Sequence, residues 1–205
     1  GAPYSPQAQP GAAVSAQVQA WERFLNGDDK RSQLVARYIY EHWYIGHFHF
    51  PEQPEINFEL VRSRTPAGQP IDVIATRRPY DDPQVERVYY RLRRAEATPV
   101  AKTYMPVELD PARLARVRDW FFAPAYVVDK LPGYQPEVAS NPFATFRALP
   151  VNARVDQRVP KKLLLEQGAP TAADKRQIQE GVDELFWIAA LKPNQIGVPA
   201  FRDEV

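Results

Sequence analysis

Hydrophobic positions in this chain change their spacing as the sequence proceeds. Val14, Val18, Trp21 and Leu25 recur at intervals of three and four, which predicts an amphipathic helix over 14–25. Asn26-Gly27 ends it, and Asp28 or Asp29 caps a second helix. That helix carries Leu34, Tyr38, His42 and Ile45 on one stripe and stops at Gly46. The period then shortens. Segments 48–50, 57–64, 71–76 and 86–94 read as short strands, the last with the partial alternation of a half-exposed one, and 100–107 as a further strand.

Helical spacing returns later in the chain. Asp110-Pro111 supplies a cap and a first-turn proline for a helix over 112–122, with Leu114, Val117 and Phe121 facing inward. Residues 126–150 are punctuated by proline, with one helical turn at 143–148. Thr171-Ala172-Ala173-Asp174 has the form of a capping box and opens a helix over 172–191, which Lys192-Pro193 stops. These elements predict an α+β fold, with three to four helices packed on a small, mainly antiparallel sheet. The expected organisation is a linker over 1–13, read as the tail of an upstream domain, a main domain over 14–150, and a C-terminal helical segment over 151–205.

Composition narrows the functional classes. The 26 basic and 25 acidic side chains leave a net charge of +1, which argues against nucleic acid as a partner. No apolar run reaches the length of a membrane-spanning helix. With no cysteine, the 205 residues cannot form a disulfide, an iron–sulfur cluster, a thiol nucleophile or a thioether-linked haem. Phosphate-binding glycine loops, nucleophile elbows and the His-Glu-x-x-His metalloprotease signature are also missing.

The remaining chemistry is concentrated in a few clusters. His47 and His49 stand two apart and would share a strand face, with His42 five residues before His47. They could begin a metal site, which needs a third ligand, or supply an axial ligand to haem. The alternative is aromatic-like packing at a helix-to-strand junction. Arg62, Arg64, Arg77 and Arg78, with Tyr80, could grip a phosphate or carboxylate. The competing reading pairs these arginines internally with Asp72, Asp81 and Asp82. Arg87, Arg91, Arg93 and Arg94 interleave with Tyr89 and Tyr90 and read as a solvated strand face.

Two of these segments carry a family resemblance. Residues 34–50 (LVARYIYEHWYIGHFHF) gather all 3 histidines with Trp43, Tyr44, Phe48 and Phe50, and include Tyr40-Glu41-His42. Residues 58–83 contain Arg62-Ser63-Arg64-Thr65-Pro66 and Arg77-Arg78-Pro79-Tyr80-Asp81-Asp82-Pro83. This pairing resembles the bacterial fatty acid cis/trans isomerase family, over about residues 17–150.

The resemblance implies periplasmic conversion of cis to trans double bonds in unsaturated fatty acids of the membrane, without ATP or a nicotinamide cofactor. It also implies a c-type haem that withdraws electron density from the double bond. No residue here matches the family's Cys-x-x-Cys-His motif, so no cofactor is expected within this chain. The chain is then expected to be the lipid-facing part of a longer enzyme and inactive alone. Its partners would be an unsaturated fatty acid or phospholipid and a peripheral membrane surface. Trp43, Tyr44, Phe48 and Phe50 would wall an acyl groove, with packing in the core as the equal alternative. The alternative is a non-catalytic periplasmic lipid-binding or scaffold module derived from the family. After Pro150 the family continues into a long region that this chain lacks, so Arg154-Val155 marks a shortened relative or an absent stretch.

Overall fold

Helices come first along the chain and the sheet follows. The structure is a computed structural model that describes residues 9–95 and 106–150. The helix expected over 172–191, most of the linker and residues 100–105 lie outside the described residues. Helix α1 spans Ala12–Leu25 and buries Val14, Trp21, Phe24 and Leu25. Helix α2 spans Lys30–Trp43. Asp29 is its cap, accepting from the Ser32 backbone N–H at 2.9 Å and from the Ser32 hydroxyl at 2.5 Å.

Every residue from Leu34 to His42 of α2 is buried. A helix covered on all sides forms the centre of a small domain and does not lie on its surface. Its buried charges, Arg37 and Glu41, meet one turn apart at 2.7 Å. The helix ends two residues before Ile45, where the Gly46 N–H turns back to the Trp43 carbonyl at 2.8 Å.

Strands β1 (His47–Phe50), β2 (Gln53–Ser63), β3 (Tyr89–Arg94) and β4 (Pro106–Glu108) form one sheet in the order β3-β2-β1-β4. β2 is antiparallel to both β1 and β3, whereas β4 runs parallel to β1. The expected α+β class with a mainly antiparallel sheet is what forms. Two strand starts differ by three residues or more within the first three strands. β2 starts at Gln53, because the tight turn after Phe50 lets pairing resume with Gln53 opposite Phe50. β3 starts at Tyr89, leaving 86–88 outside the ladder.

The expected strand over 71–76 is reduced to one bridge between Ser63 and Val73. Its backbone still bonds β2, Arg64 N–H to Asp72 at 2.8 Å and Ile74 N–H to Arg62 at 2.8 Å, but the pairing stops there. Helix α3 (Pro111–Phe122) starts on the Asp110 cap. The one-turn helices α4 (Pro136–Ala139) and α5 (Pro142–Thr145) follow, and α4 was not expected. This region closes over α2, placing Phe121 and Phe146 edge-on to the Tyr38 ring at centroid distances of 5.5 and 5.1 Å.

Candidate functional site

Strand alternation places a cation where apolar side chains belong. Ile56, Phe58, Leu60 and Arg62 lie two apart along β2, and all are buried, Arg62 at 2% exposure. The Arg62 guanidinium donates from Nη1 to the Asp81 carbonyl at 2.9 Å and from Nη2 to the Thr76 hydroxyl. It stands 5.2 Å from the centre of the Tyr40 ring.

Two other buried arginines provide a comparison. Arg37 has Glu41 at 2.7 Å and Arg91 has Glu22 at 3.0 Å. Nη2 of Arg37 and Nε of Arg62 have no hydrogen-bond partner, whereas Nε of Arg91 is the atom that faces Glu22 across its ion pair. The missing carboxylate is what separates them. Among the described residues Arg62 makes no salt bridge, and its acceptors are neutral.

Arg62 borders a cleft whose position follows from the strand register. Pairing between β1 and β2 runs no further than Phe58, and the 71–76 segment joins β2 only at Arg62 and Ser63. The gap between them opens a cavity of about 530 Å³. Residues 59–62 line it, with the turn 44–47 on one side, 73–76 on the other, and Tyr40 reaching in from α2. Leu60, Val61, Ile45, Val73 and Ile74 make most of its wall apolar.

Arg62 and two tyrosines bring hydrogen-bond donors to this cleft. Burial pushes the Tyr40 phenol above its ordinary value against the opposing pull of Arg62. Burial likewise raises Tyr44, with the neighbouring Tyr80 adding to it. Both phenols therefore stay protonated at neutral pH. Glu59 also borders the cleft, but its carboxylate is held 2.7 Å from Arg93, its cross-strand partner on β3.

The residues singled out in the sequence separate into distinct places. Arg62 and Tyr44 line the cleft together with His47. Tyr80 is buried beneath the Arg78 guanidinium, 4.9 Å from its ring centre. Arg64 pairs with Asp72 at 3.2 Å and Arg78 with Asp81 at 2.8 Å, so the internal-pairing alternative holds for those two. Arg77 is exposed. Trp43 packs between Trp21 and Phe48, away from the cleft. Phe48 and Phe50 are core residues, 1% and 0% exposed.

His42 is stacked 4.0 Å from Tyr38, and its Nδ1 lies 2.7 Å from the Tyr38 carbonyl. His49 sits on β1 beside β4. Among the described residues no group of three or more His, Cys, Asp or Glu side chains could hold a metal ion. A c-type haem does not fit this donor set either, since its thioether bonds require cysteine. The solvated face expected for the β3 arginines fails at Arg91, which is buried against Glu22 and donates to the Pro66 carbonyl at 2.5 Å. Tyr40 and Thr76 were not anticipated at the site. Tyr40 faces Arg62 only because α2 is buried on every side.

A family model described as fatty acid cis/trans isomerase (CTI) matches residues 1–162. A second, described as a domain of unknown function (DUF4391), matches residues 148–205. No curated protein and no solved structure matches the chain. The first match takes in most of the 205 residues and every residue of the cleft, and so the chain belongs to the fatty acid cis/trans isomerase family.

Proposed function

We propose that this chain is the lipid-handling part of a fatty acid cis/trans isomerase, and that the cleft beside β2 receives the unsaturated acyl chain. The observation that carries the reading is an apolar cleft of about 530 Å³, within the size range of ligand sites, in a member of that family. Burying a methylene there contributes about 0.8 kcal/mol, so a handful of carbons seated in the cleft suffices for specific binding.

The family resemblance assigns to a c-type haem the task of drawing electron density from the double bond so that it can rotate. No cysteine in this chain can attach one. The haem is therefore carried by residues outside these 205, and the work of this chain is to seat the acyl chain, exclude water and orient the kink. We place the enzyme in the periplasm with peripheral contact to the membrane, where unsaturated fatty acids and phospholipids are at hand.

Gas chromatography of fatty acids tests the reading. The complete, haem-loaded gene product and this chain alone are each incubated with cis-unsaturated lipid. Trans product from the complete protein only is the expected result. Trans product from neither overturns the isomerase reading and favours a non-catalytic lipid-binding module.

A further inference from the structure

We propose that the segment covering α2 on the side away from the sheet is a docking face for an anionic phospholipid surface, with Phe143 and Val127 as its apolar anchors. The proposal rests on the acyl reading of the cleft, which puts the substrate in a membrane, and adds the side by which the protein meets it. Tyr38 and Tyr40 stand about 200° apart around α2. Tyr40 faces the sheet, its ring 5.5 Å from that of Tyr90, whereas Tyr38 stands edge-on to Phe121 and Phe146. Residues 121–149 therefore form a layer of their own. Arg31 ties it to α2 through the Phe121 and Pro124 carbonyls, Lys30 through that of Asp129 and Arg37 through that of Pro132. Val128, Phe146 and Leu149 turn inward to the core. Phe143 and Val127 stay outside it, 76% and 75% exposed, and no other large hydrophobic side chain is exposed among the described residues.

Charge follows the same pattern. Each exposed apolar residue has an exposed cation three or four positions on, Lys130 after Val127 and Arg147 after Phe143. Neither cation is in an ion pair among the described residues, whereas the exposed Arg64, Arg78 and Arg93 each hold a carboxylate. Residues 111–150 carry five basic side chains against three acidic ones, so this side of the protein is positive. An apolar side chain set at the acyl boundary, with a long cation beside it at headgroup level, suits the surface of a bilayer that contains anionic lipid. A protein partner fits less well, because the centre of a protein interface is depleted of charge and Asp129, Lys130 and Arg147 lie close in sequence to the two anchors.

The test is flotation of the full chain with vesicles of phosphatidylcholine alone and of phosphatidylcholine mixed with phosphatidylglycerol, at low and high salt. The wild type should float with the mixed vesicles, and high salt should weaken that binding. Phe143→Ser and Val127→Ser should each weaken it about tenfold, the margin expected when one large apolar side chain no longer enters lipid. Lys130→Gln combined with Arg147→Gln should remove the preference for phosphatidylglycerol. All four positions are exposed, so the variants should keep the circular dichroism of the wild type. Equal flotation of the wild type and Phe143→Ser overturns the docking face, and so does a wild type that floats with neither vesicle. Self-association of the wild type that Phe143→Ser abolishes makes the face an interface between copies and overturns it as well. Binding of palmitoleate in solution, followed by tryptophan fluorescence, keeps the two readings apart. Phe143→Ser should bind it as the wild type does, and a wild type that does not bind it overturns the acyl cleft while the vesicle result stands.

Discussion

The side chain of Asn26 is bonded in both directions to the backbone of Tyr90: its Nδ2 donates to the Tyr90 carbonyl at 2.8 Å, and its Oδ1 accepts from the Tyr90 N–H at 2.8 Å. Two residues further along β3, the Leu92 N–H donates to Glu22 Oε1 at 3.0 Å. β3 is an edge strand, with β2 on its other side. The last turn of α1 thus gives that edge the hydrogen bonds a fifth strand would have made.

Replacing Asn26 by Ala leaves the buried N–H and carbonyl of Tyr90 without partners. We expect a loss of about 1–3 kcal/mol in unfolding free energy. Asn26→Asp keeps the acceptor and loses the donor, so it should fall between wild type and Ala. Urea denaturation followed by tryptophan fluorescence measures both, and wild-type stability in Asn26→Ala would show that the clamp is idle.

The Arg37–Glu41 pair should behave unequally under single and double substitution. Arg37 also donates to the Pro132 and Gly133 carbonyls at 2.9 and 3.3 Å and lies 3.9 Å from the Tyr134 ring centre, so it fastens that segment to α2. Glu41→Gln leaves a buried guanidinium unneutralised and should cost about 3–5 kcal/mol. The joint change Arg37→Met with Glu41→Leu should cost less than the two singles added together, because no charge is left stranded. Additive losses would mean that the pair does not act as a unit.

Stability should decline at both ends of the pH scale for separate reasons. Burial holds Tyr90 well above its ordinary 10.0, and it also raises Tyr134, Tyr126, Tyr40 and Tyr44. The unfolded chain therefore loses these protons first, so stability is full below pH 10.0 and is lost as pH climbs through the folded values. Asp29 is lowered from 3.8, first by its bond to the Ser32 side chain, so its contribution is present above that value and is lost as pH falls below it. Denaturation midpoints across pH should show both slopes, and Asp29→Ala should be less stable by about 1 kcal/mol at neutral pH while losing part of the acid slope. Tyrosinate absorbance reaching the full amplitude of all 10 tyrosines before unfolding would contradict the alkaline half.

Much of this fold was legible where local chemistry decides the outcome. The stripe Val14, Val18, Trp21 and Leu25, the Asp-Pro start of α3 and an aspartate cap before α2 depend on near neighbours, and they read correctly. Segment 71–76 did not, because its apolar residues have strand character while its pairing with β2 ends after a single bridge. Trp43, Phe48 and Phe50 have the composition of a groove wall, and only the packing assigns them to the core. Arg62 left a signal in its parity with Phe58 and Leu60, which points it inward. Among the described residues Arg62 makes no salt bridge, and that is a fact of assembly, with Glu41 paired to Arg37 and Glu22 to Arg91.

That distribution of charge bears on when the desolvation of Arg62 takes place. Removing the water shell of a guanidinium is costly. In this protein the shell of Arg62 is removed once, as β2 folds beneath Tyr40, and the group is already oriented by Thr76 and Asp81. The dehydration of that guanidinium is therefore a cost of folding, and its orientation is set in the same step.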